Sequence, residues 1–270
     1  MMSVARCQSW EIAHIGLCVN DVSEASDYYA TIVGLISSSV DAFSNGTQGL
    51  SLYRPDPNFA KERGLIHNPL MTKFAAIVVD DLDAVQKNLE RCDIAYSDID
   101  DAFPALSRSL FCYDPSMNLV AFTTRTGATL ANADWILHHV NLQAHDVRET
   151  IAFFGDVAGM TEGKWIAPPE MGDFSIDPNE LAVLTLGEEN RGLHIIRPDA
   201  GFGYRNGFAH NPSIGGHPAF RVSDIHAVMS RLDDAGMVYS DAGTYAMTGY
   251  HQVYVFDPAY NLVEINQRIA

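Results

Sequence analysis

The sequence predicts an α+β fold that is built from four repeated units and divided into two halves. Two internal alignments support this prediction. Trp10 to Val22 aligns without gaps on Trp135 to Val147, and Asp81 to Asp98 aligns without gaps on Asp224 to Asp241. Internal repeats of this kind indicate repeated structural units. The four units span residues 8–55, 70–126, 133–198 and 214–268, and each has the pattern of a strand, a helix and then several strands.

A helix follows the first strand of each half. The predicted helices run from Ser23 to Val33 and from Arg148 to Val157. Gly34 and Gly159 follow them, and glycine is the usual residue at a left-handed helix C-terminus. The same local pattern therefore occurs in both halves, which supports the repeat.

The last unit ends in a predicted β-hairpin from Gly249 to Gln267. Alternating apolar residues form its two strands, and Asp257 and Pro258 begin the turn between them. Glu264 lies inside the second strand of this hairpin. A carboxylate buried in a strand needs a partner or a metal, whereas one on a solvated sheet face needs neither.

A stretch of small residues from Thr124 to Ala133 separates the two halves and is a plausible linker. We therefore expect an N-terminal domain over residues 1–126 and a C-terminal domain over residues 133–270.

Composition excludes several classes of function. The formal net charge of −17 and the isoelectric point near 4.7 argue against binding to nucleic acid or to an anionic membrane surface, because both need a basic patch. No apolar segment has the length of a signal peptide core or of a membrane span. We expect a cytoplasmic protein that forms a homo-oligomer. The four cysteines show no metal-binding spacing.

The aligned halves differ at polar positions, and this difference points to a site in the second half. His139 aligns with a histidine of the first half, but the other polar residues align with apolar or small residues. A purely structural requirement would act alike on both copies. The five pairs are His139 with His14, His217 with Phe74, Glu264 with Ala121, Tyr254 with Phe111, and His194 with Ser51.

Two histidines and a carboxylate from three strands are the ligands of a facial-triad Fe(II) site, which leaves coordination positions open. His139, His217 and Glu264 form this set, and zinc, manganese or nickel could bind the same donors. Strict alternation places His139 and Asn141 on one face of their strand. By the same rule His138 should face the core.

On these residues the chain resembles the vicinal oxygen chelate superfamily, and specifically the two-domain type I extradiol ring-cleavage dioxygenases. The resemblance covers nearly the whole chain. It implies four βαβββ modules, no metal in the N-terminal domain, and a C-terminal metal held by His139, His217 and Glu264. It further implies that His194 is the catalytic acid/base and that Tyr254 hydrogen-bonds the substrate.

The resemblance implies a catechol-type substrate and O2 as reactants with Fe(II). The family often has a second histidine nine residues before the tyrosine, and this chain has Tyr245 there, which suggests an unusual substrate. We expect Tyr245, Tyr250 and His251 to contact it.

Three alternatives remain open. In a glyoxalase-like lyase or isomerase, His194 would be a fourth metal ligand. A small-molecule-binding or resistance module would use the same cleft without catalysis. A different metal set would pair His14 with His217 and Glu264, as in hydroquinone-cleaving relatives.

Overall fold

The computed structural model describes residues 9–101, 103, 106–124, 134–167, 177–185 and 189–269. The predicted linker lies almost entirely outside these residues, so the domain boundary stays a prediction. None of the described helices is both long and apolar enough to cross a membrane.

The first half forms a mixed eight-stranded sheet in the order β2-β3-β4-β1-β5-β8-β7-β6. Its strands are β1 (Trp10–Cys18), β2 (Ser37–Ser39), β3 (Ala42–Ser44), β4 (Gly49–Tyr53), β5 (Phe74–Val79), β6 (Tyr96–Ile99), β7 (Ser109–Tyr113) and β8 (Leu119–Thr123). Its helices are α1 (Val22–Asp27), continued by a π-helical segment (Tyr28–Val33), α2 (Phe59–Arg63), a 3₁₀ turn (Pro69–Met71) and α3 (Leu82–Arg91).

The second half forms a seven-stranded sheet in the order β10-β11-β9-β12-β15-β14-β13. Its strands are β9 (Trp135–Gln143), β10 (Leu181–Thr185), β11 (Gly192–Ile196), β12 (His217–Val222), β13 (Tyr239–Gly243), β14 (Tyr250–Phe256) and β15 (Leu262–Arg268). Its helices are α4 (Val147–Ala158), α5 (Phe202–Arg205) and α6 (Ile225–Asp234).

These elements confirm the predicted α+β fold of four βαβββ modules. Module three differs slightly, because its described part has two full strands after the helix. The third pairing is an isolated bridge between Glu162 and Leu184. The predicted helix ends are close to the observed ones: α4 begins after Asp146, whose side chain accepts a hydrogen bond from the Glu149 amide, and it ends at Gly159 with φ of 67°.

The two halves pack against each other through one continuous apolar core that contains residues of both sheets. Helix α3 lies against α4, and α6 lies against the π-helical segment. Hydrogen bonds also join the halves, among them those of Tyr29 and Lys73. The Tyr29 hydroxyl donates to Asp257 Oδ2 at 3.1 Å, and Lys73 Nζ donates to the carbonyls of Gly215 and Gly216.

A β-bulge interrupts the first strand of each half at the same place. In β9, Leu137 pairs with Phe220 and His139 pairs with Ala219, so His138 is the extra residue. In β1 the extra residue is Ala13. A bulge leaves one residue unpaired and redirects the side chains next to it. The expectation that His138 faces the opposite side from His139 is therefore wrong, because strict alternation fails at this position.

Candidate metal centre

Five neighbouring strands at the centre of the second sheet each supply one candidate side chain. The strands are, in spatial order, β11, β9, β12, β15 and β14. Pairing places their residues in two adjacent rows across the sheet. One row contains Gly192, His139, Ala219, Glu264 and Tyr254, and the other contains His194, Asn141 and His217.

His139, His217 and Glu264 lie close enough together to bind one metal ion. One ligand atom from each lies within 4.8 Å of the other two. Glu264 Oε2 is 3.2 Å from His139 Nε2 and 3.5 Å from His217 Nε2. All three side chains are at most 2% exposed. The structure therefore brings together the three residues that the sequence selected.

The protonation states of these side chains favour the binding of a cation. Burial alone would raise the pKa of Glu264, but the imidazoles of His139 and His217 outweigh it and hold the pKa well below its usual value. Burial lowers the pKa of His217, so its ring resists protonation. A buried carboxylate anion with converging imidazole nitrogens is a typical donor set for a divalent transition metal.

Asn266 holds the carboxylate of Glu264 in place. Its Nδ2 donates to Glu264 Oε1 at 2.8 Å, so Oε2 is the oxygen directed at the two histidines. Asn266 is fully buried on the same strand. Asn266 is not among the residues predicted from the sequence, although its position two residues after Glu264 places it on the same sheet face.

The backbone before His217 is also constrained. Gly215 and Gly216 precede it with φ of +79° and +64°, a region that disfavours side chains. A Cβ on Gly216 would approach the Asn141 carbonyl oxygen to 2.5 Å. Lys73, from the first half, donates to both glycine carbonyls. The first half of the chain thus helps to place a metal-ligand candidate of the second half.

His194 lies beside the three-residue group and contributes no atom to it. Its ring stacks on His139 with a centroid distance of 3.9 Å and meets the edge of Trp165. His194 Nε2 lies 2.6 Å from the Asn190 carbonyl oxygen, so Nε2 carries the donated hydrogen. Burial, reinforced by His139, holds the pKa of His194 well below its usual value. The residue is a neutral imidazole whose Nδ1 is the acceptor nitrogen.

Asn190 is a second residue near the site that is not among those predicted from the sequence. Besides its carbonyl contact with His194, its side chain accepts from the Ile166 amide and donates to the Ile166 carbonyl, both at 2.8 Å. It therefore fixes the backbone that carries Trp165. No sequence pattern predicts this role, because it depends on a contact between loops.

A cavity of about 90 Å³ opens onto the group. Tyr254 and Tyr245 line it, and burial raises the pKa of Tyr254 well above its usual value, which keeps its hydroxyl protonated. Gln252 Nε2 donates to that hydroxyl at 3.3 Å. Three further aromatic side chains line the cavity, namely Trp165, Phe202 and Phe208.

Tyr250 and His251 lie outside the described lining of this cavity, and their contact with substrate stays a prediction. His251 Nε2 lies 2.7 Å from Asp241 Oδ1, on the opposite face of β14 from Gln252. Tyr250 packs on His138 with a ring distance of 4.7 Å, and its hydroxyl lies 3.5 Å from an Arg221 nitrogen. Neither residue is part of the described cavity lining.

The corresponding cleft of the first half is filled by aromatic side chains. The Phe74 ring occupies the space over Gly16, where an added Cβ would lie 2.0 Å from it. Phe103 and Phe111 pack around that ring. His14 Nε2 lies 3.0 Å from Ser51 Oγ, so His14 pairs with Ser51 in the first sheet. Among the described residues, the group with His217 and Glu264 contains His139 in place of His14.

His138 contacts the metal-ligand candidate His139 directly. The two Nδ1 atoms are 2.9 Å apart, and the rings meet edge to face. His138 is fully buried. Burial, reinforced by His139, holds the pKa of His138 well below its usual value.

Several solved structures share this fold. A variant of homoprotocatechuate 2,3-dioxygenase from Brevibacterium fuscum is 15% identical, with a TM-score of 0.68 over 100% of this chain and 74% of that chain. Homoprotocatechuate 2,3-dioxygenase from Arthrobacter globiformis is 15% identical, with a TM-score of 0.65 over 98% and 80%. The Mn(II)-bound glyoxalase from Novosphingobium aromaticivorans is 17% identical, with a TM-score of 0.63 over 98% and 83%.

No curated protein matches the sequence. The family model that describes the Glyoxalase/Bleomycin resistance protein/Dioxygenase superfamily matches residues 136–265, which include all three members of the metal-ligand group. Residues 136–265, in the second half of the chain, therefore form a domain of the Glyoxalase/Bleomycin resistance protein/Dioxygenase superfamily.

Proposed function

We propose that this protein is an Fe(II)-dependent extradiol dioxygenase that opens a catechol-type ring with O2. One observation carries the proposal: His139, His217 and Glu264 converge at one buried point beneath an aromatic-lined cavity, with His194 and Tyr254 on the flanking strands. The likeness to two homoprotocatechuate 2,3-dioxygenases supports the same reading.

His139 Nε2, His217 Nε2 and Glu264 Oε2 would hold the metal. Two nitrogens and one carboxylate oxygen leave coordination positions for other molecules, which is the arrangement of non-haem Fe(II) oxygenases. When bound, Fe(II) would supply a site for both hydroxyl oxygens of the substrate and for O2, together with electron transfer between them. The other residues bind and orient the substrate and move its protons.

His194 serves as the acid/base in this proposal. Since Nε2–H donates to the Asn190 carbonyl, Nδ1 has the lone pair that accepts a proton from a substrate hydroxyl. The same nitrogen returns the proton after the ring opens. Tyr254 keeps its own proton because burial raises its pKa, so its hydroxyl is a hydrogen-bond donor at the cavity wall.

The cavity supports an aromatic substrate. Trp165, Phe202, Phe208 and Tyr245 surround it with flat apolar surfaces, and such walls pack against an aromatic ring at close range. The planar ring of a catechol would pack against the apolar wall of the cavity, and its two adjacent oxygens would face the metal-binding wall.

The test is oxygen uptake by protein that has been loaded with Fe(II) under anaerobic conditions. We expect uptake and a yellow ring-fission product with one or more substituted catechols, and loss of both after Glu264→Ala. Stable iron binding without oxygen uptake across a varied catechol panel would contradict the proposal.

A glyoxalase-like reaction is the second candidate, because the Mn(II)-bound glyoxalase also matches almost the whole chain. Such an enzyme would use the metal as a Lewis acid and would need no O2. His194 distinguishes the candidates, since its Nε2 bonds Asn190 and the residue lies outside the metal-ligand group. Turnover of a hemithioacetal by Mn(II)-loaded protein in the absence of oxygen would favour this candidate.

A further inference from the structure

We propose that His138 is a positioning residue that orients His139 for metal binding by accepting a hydrogen bond from its Nδ1–H group. This inference rests on the proposed metal site and adds a residue to it. The observation that carries it is the 2.9 Å distance between the Nδ1 atoms of the two rings.

Only one assignment of protons satisfies both the contact and a metal. His139 Nε2 is the nitrogen that faces Glu264, so it must be unprotonated to bind a cation. Its proton then lies on Nδ1. At 2.9 Å that proton needs an acceptor, and the acceptor is His138 Nδ1. His138 must therefore carry its own proton on Nε2.

Metal-binding histidines usually donate their second N–H to a carboxylate, a carbonyl or a water, which fixes the ring and its tautomer. In this chain an imidazole takes that place. The bulge in β9 makes this contact possible, because His138 is the extra residue. Its side chain can therefore lie beside that of His139, whereas in a regular strand the two would point to opposite faces.

The first half of the chain provides an internal comparison. At the same bulge it has Ala13 in place of His138. The equivalent histidine, His14, uses Nε2 to contact Ser51, and its buried Nδ1 has no partner among the described residues. The half with the metal-ligand group therefore has the acceptor histidine, and the half with the filled cleft lacks it.

The surroundings of His138 hold its ring in the required orientation. Tyr250 packs on one side with a ring distance of 4.7 Å. The Tyr250 hydroxyl lies 3.5 Å from Arg221, which in turn forms an ion pair with Glu189 at 3.3 Å. Tyr250 thus connects His138 to the Arg221–Glu189 ion pair.

The Nε2 atom of His138 is buried and has no hydrogen-bond partner among the described residues. His138 lines a cavity of about 50 Å³ between the two halves, together with Gln48 and Arg191. A cavity of this size with some polar groups in its wall is large enough for a water molecule, which can accept a hydrogen bond.

The experiment compares His138→Leu with His138→Asn. Leucine has a similar volume without an acceptor, whereas the asparagine Oδ1 lies near the position of the histidine Nδ1 and can accept. We measure the Kd for Mn(II) and Zn(II) by competition with a chelator. We expect His138→Leu to weaken binding about 10-fold to 100-fold, and His138→Asn to retain most of the wild-type affinity. His67→Leu is the matched control, because it removes a buried histidine that contacts Ser97, away from the metal site.

Long-range ¹H–¹⁵N spectra of the Zn(II)-loaded wild type give a readout that needs no variant. We expect His139 to carry its proton on Nδ1 and His138 to carry its proton on Nε2. A proton on His138 Nδ1, or equal Kd values for His138→Leu and wild type, overturns the inference while the metal site stands. A wild-type chain that binds neither metal overturns both.

Discussion

Replacing Glu264 by glutamine should remove most of the thermal stabilisation that a metal gives to this protein. Glutamine keeps the volume of the side chain and can still accept from Asn266 Nδ2, so packing is preserved. The substitution removes the only charged side chain among the three candidate metal ligands, at a position that is 1% exposed. The expected loss is therefore one of metal affinity.

The magnitude follows from binding linkage. A metal at one hundred times its Kd stabilises the folded state by about 2.7 kcal/mol. For a chain of this size, that raises Tm by about 5–11 °C. Four-ligand zinc sites bind with about 10–16 kcal/mol, or about 3 kcal/mol for each ligand. Loss of one ligand then weakens binding about a hundredfold, and the same metal concentration stabilises by only about 0.4 kcal/mol.

The assay is calorimetry or thermal-shift fluorescence with and without Mn(II), each variant being compared with its own metal-free form. His14→Gln is the control, because His14 is the counterpart of His139 in the half without the group, and it should keep the full shift. A Glu264→Gln protein that gains as many degrees from Mn(II) as wild type would refute the assignment of Glu264 as a ligand.

Three further predictions concern other parts of the molecule. His194→Gln should lower kcat on a catechol about 10²-fold to 10⁴-fold at unchanged iron content, and equal loss of iron would instead indicate a metal ligand. Phe74→Ala should cost about 3–5 kcal/mol of unfolding free energy in urea titrations while leaving the Kd for Mn(II) unchanged, because it empties only the filled cleft. Burial raises the pKa of Asp114 to about 6, so the contribution of its protonated carboxyl to stability is full below about pH 4 and is lost by about pH 6. The unfolding free energy of the wild type, measured against pH, should therefore fall by about 3 kcal/mol over this range. Asp114→Asn should remove this fall.

The repeats explain why so much of the site could be predicted from the sequence. An aligned second copy shows what a position contains when only the fold is required. Phe74 and Ala121 occupy the positions of His217 and Glu264, so the polar residues of the second half stood out. The structure brings both of them to His139.

The features that were missed depend on geometry that a periodic pattern does not contain. Strict alternation placed His138 on the wrong face, because a β-bulge changes the direction of side chains without changing the sequence pattern. Asn190 acts through its own carbonyl and a loop contact. The contact between His251 and Asp241 likewise has no signature in the sequence.

The most direct test of the central claim is the oxygen stoichiometry of protein loaded with Fe(II) under anaerobic conditions and mixed with a catechol that it turns over. We expect one iron per chain and one O2 consumed for each ring opened, with both values lost in Glu264→Ala. Ring-opened product without O2 consumption, or O2 consumption that persists in Glu264→Ala, would contradict it.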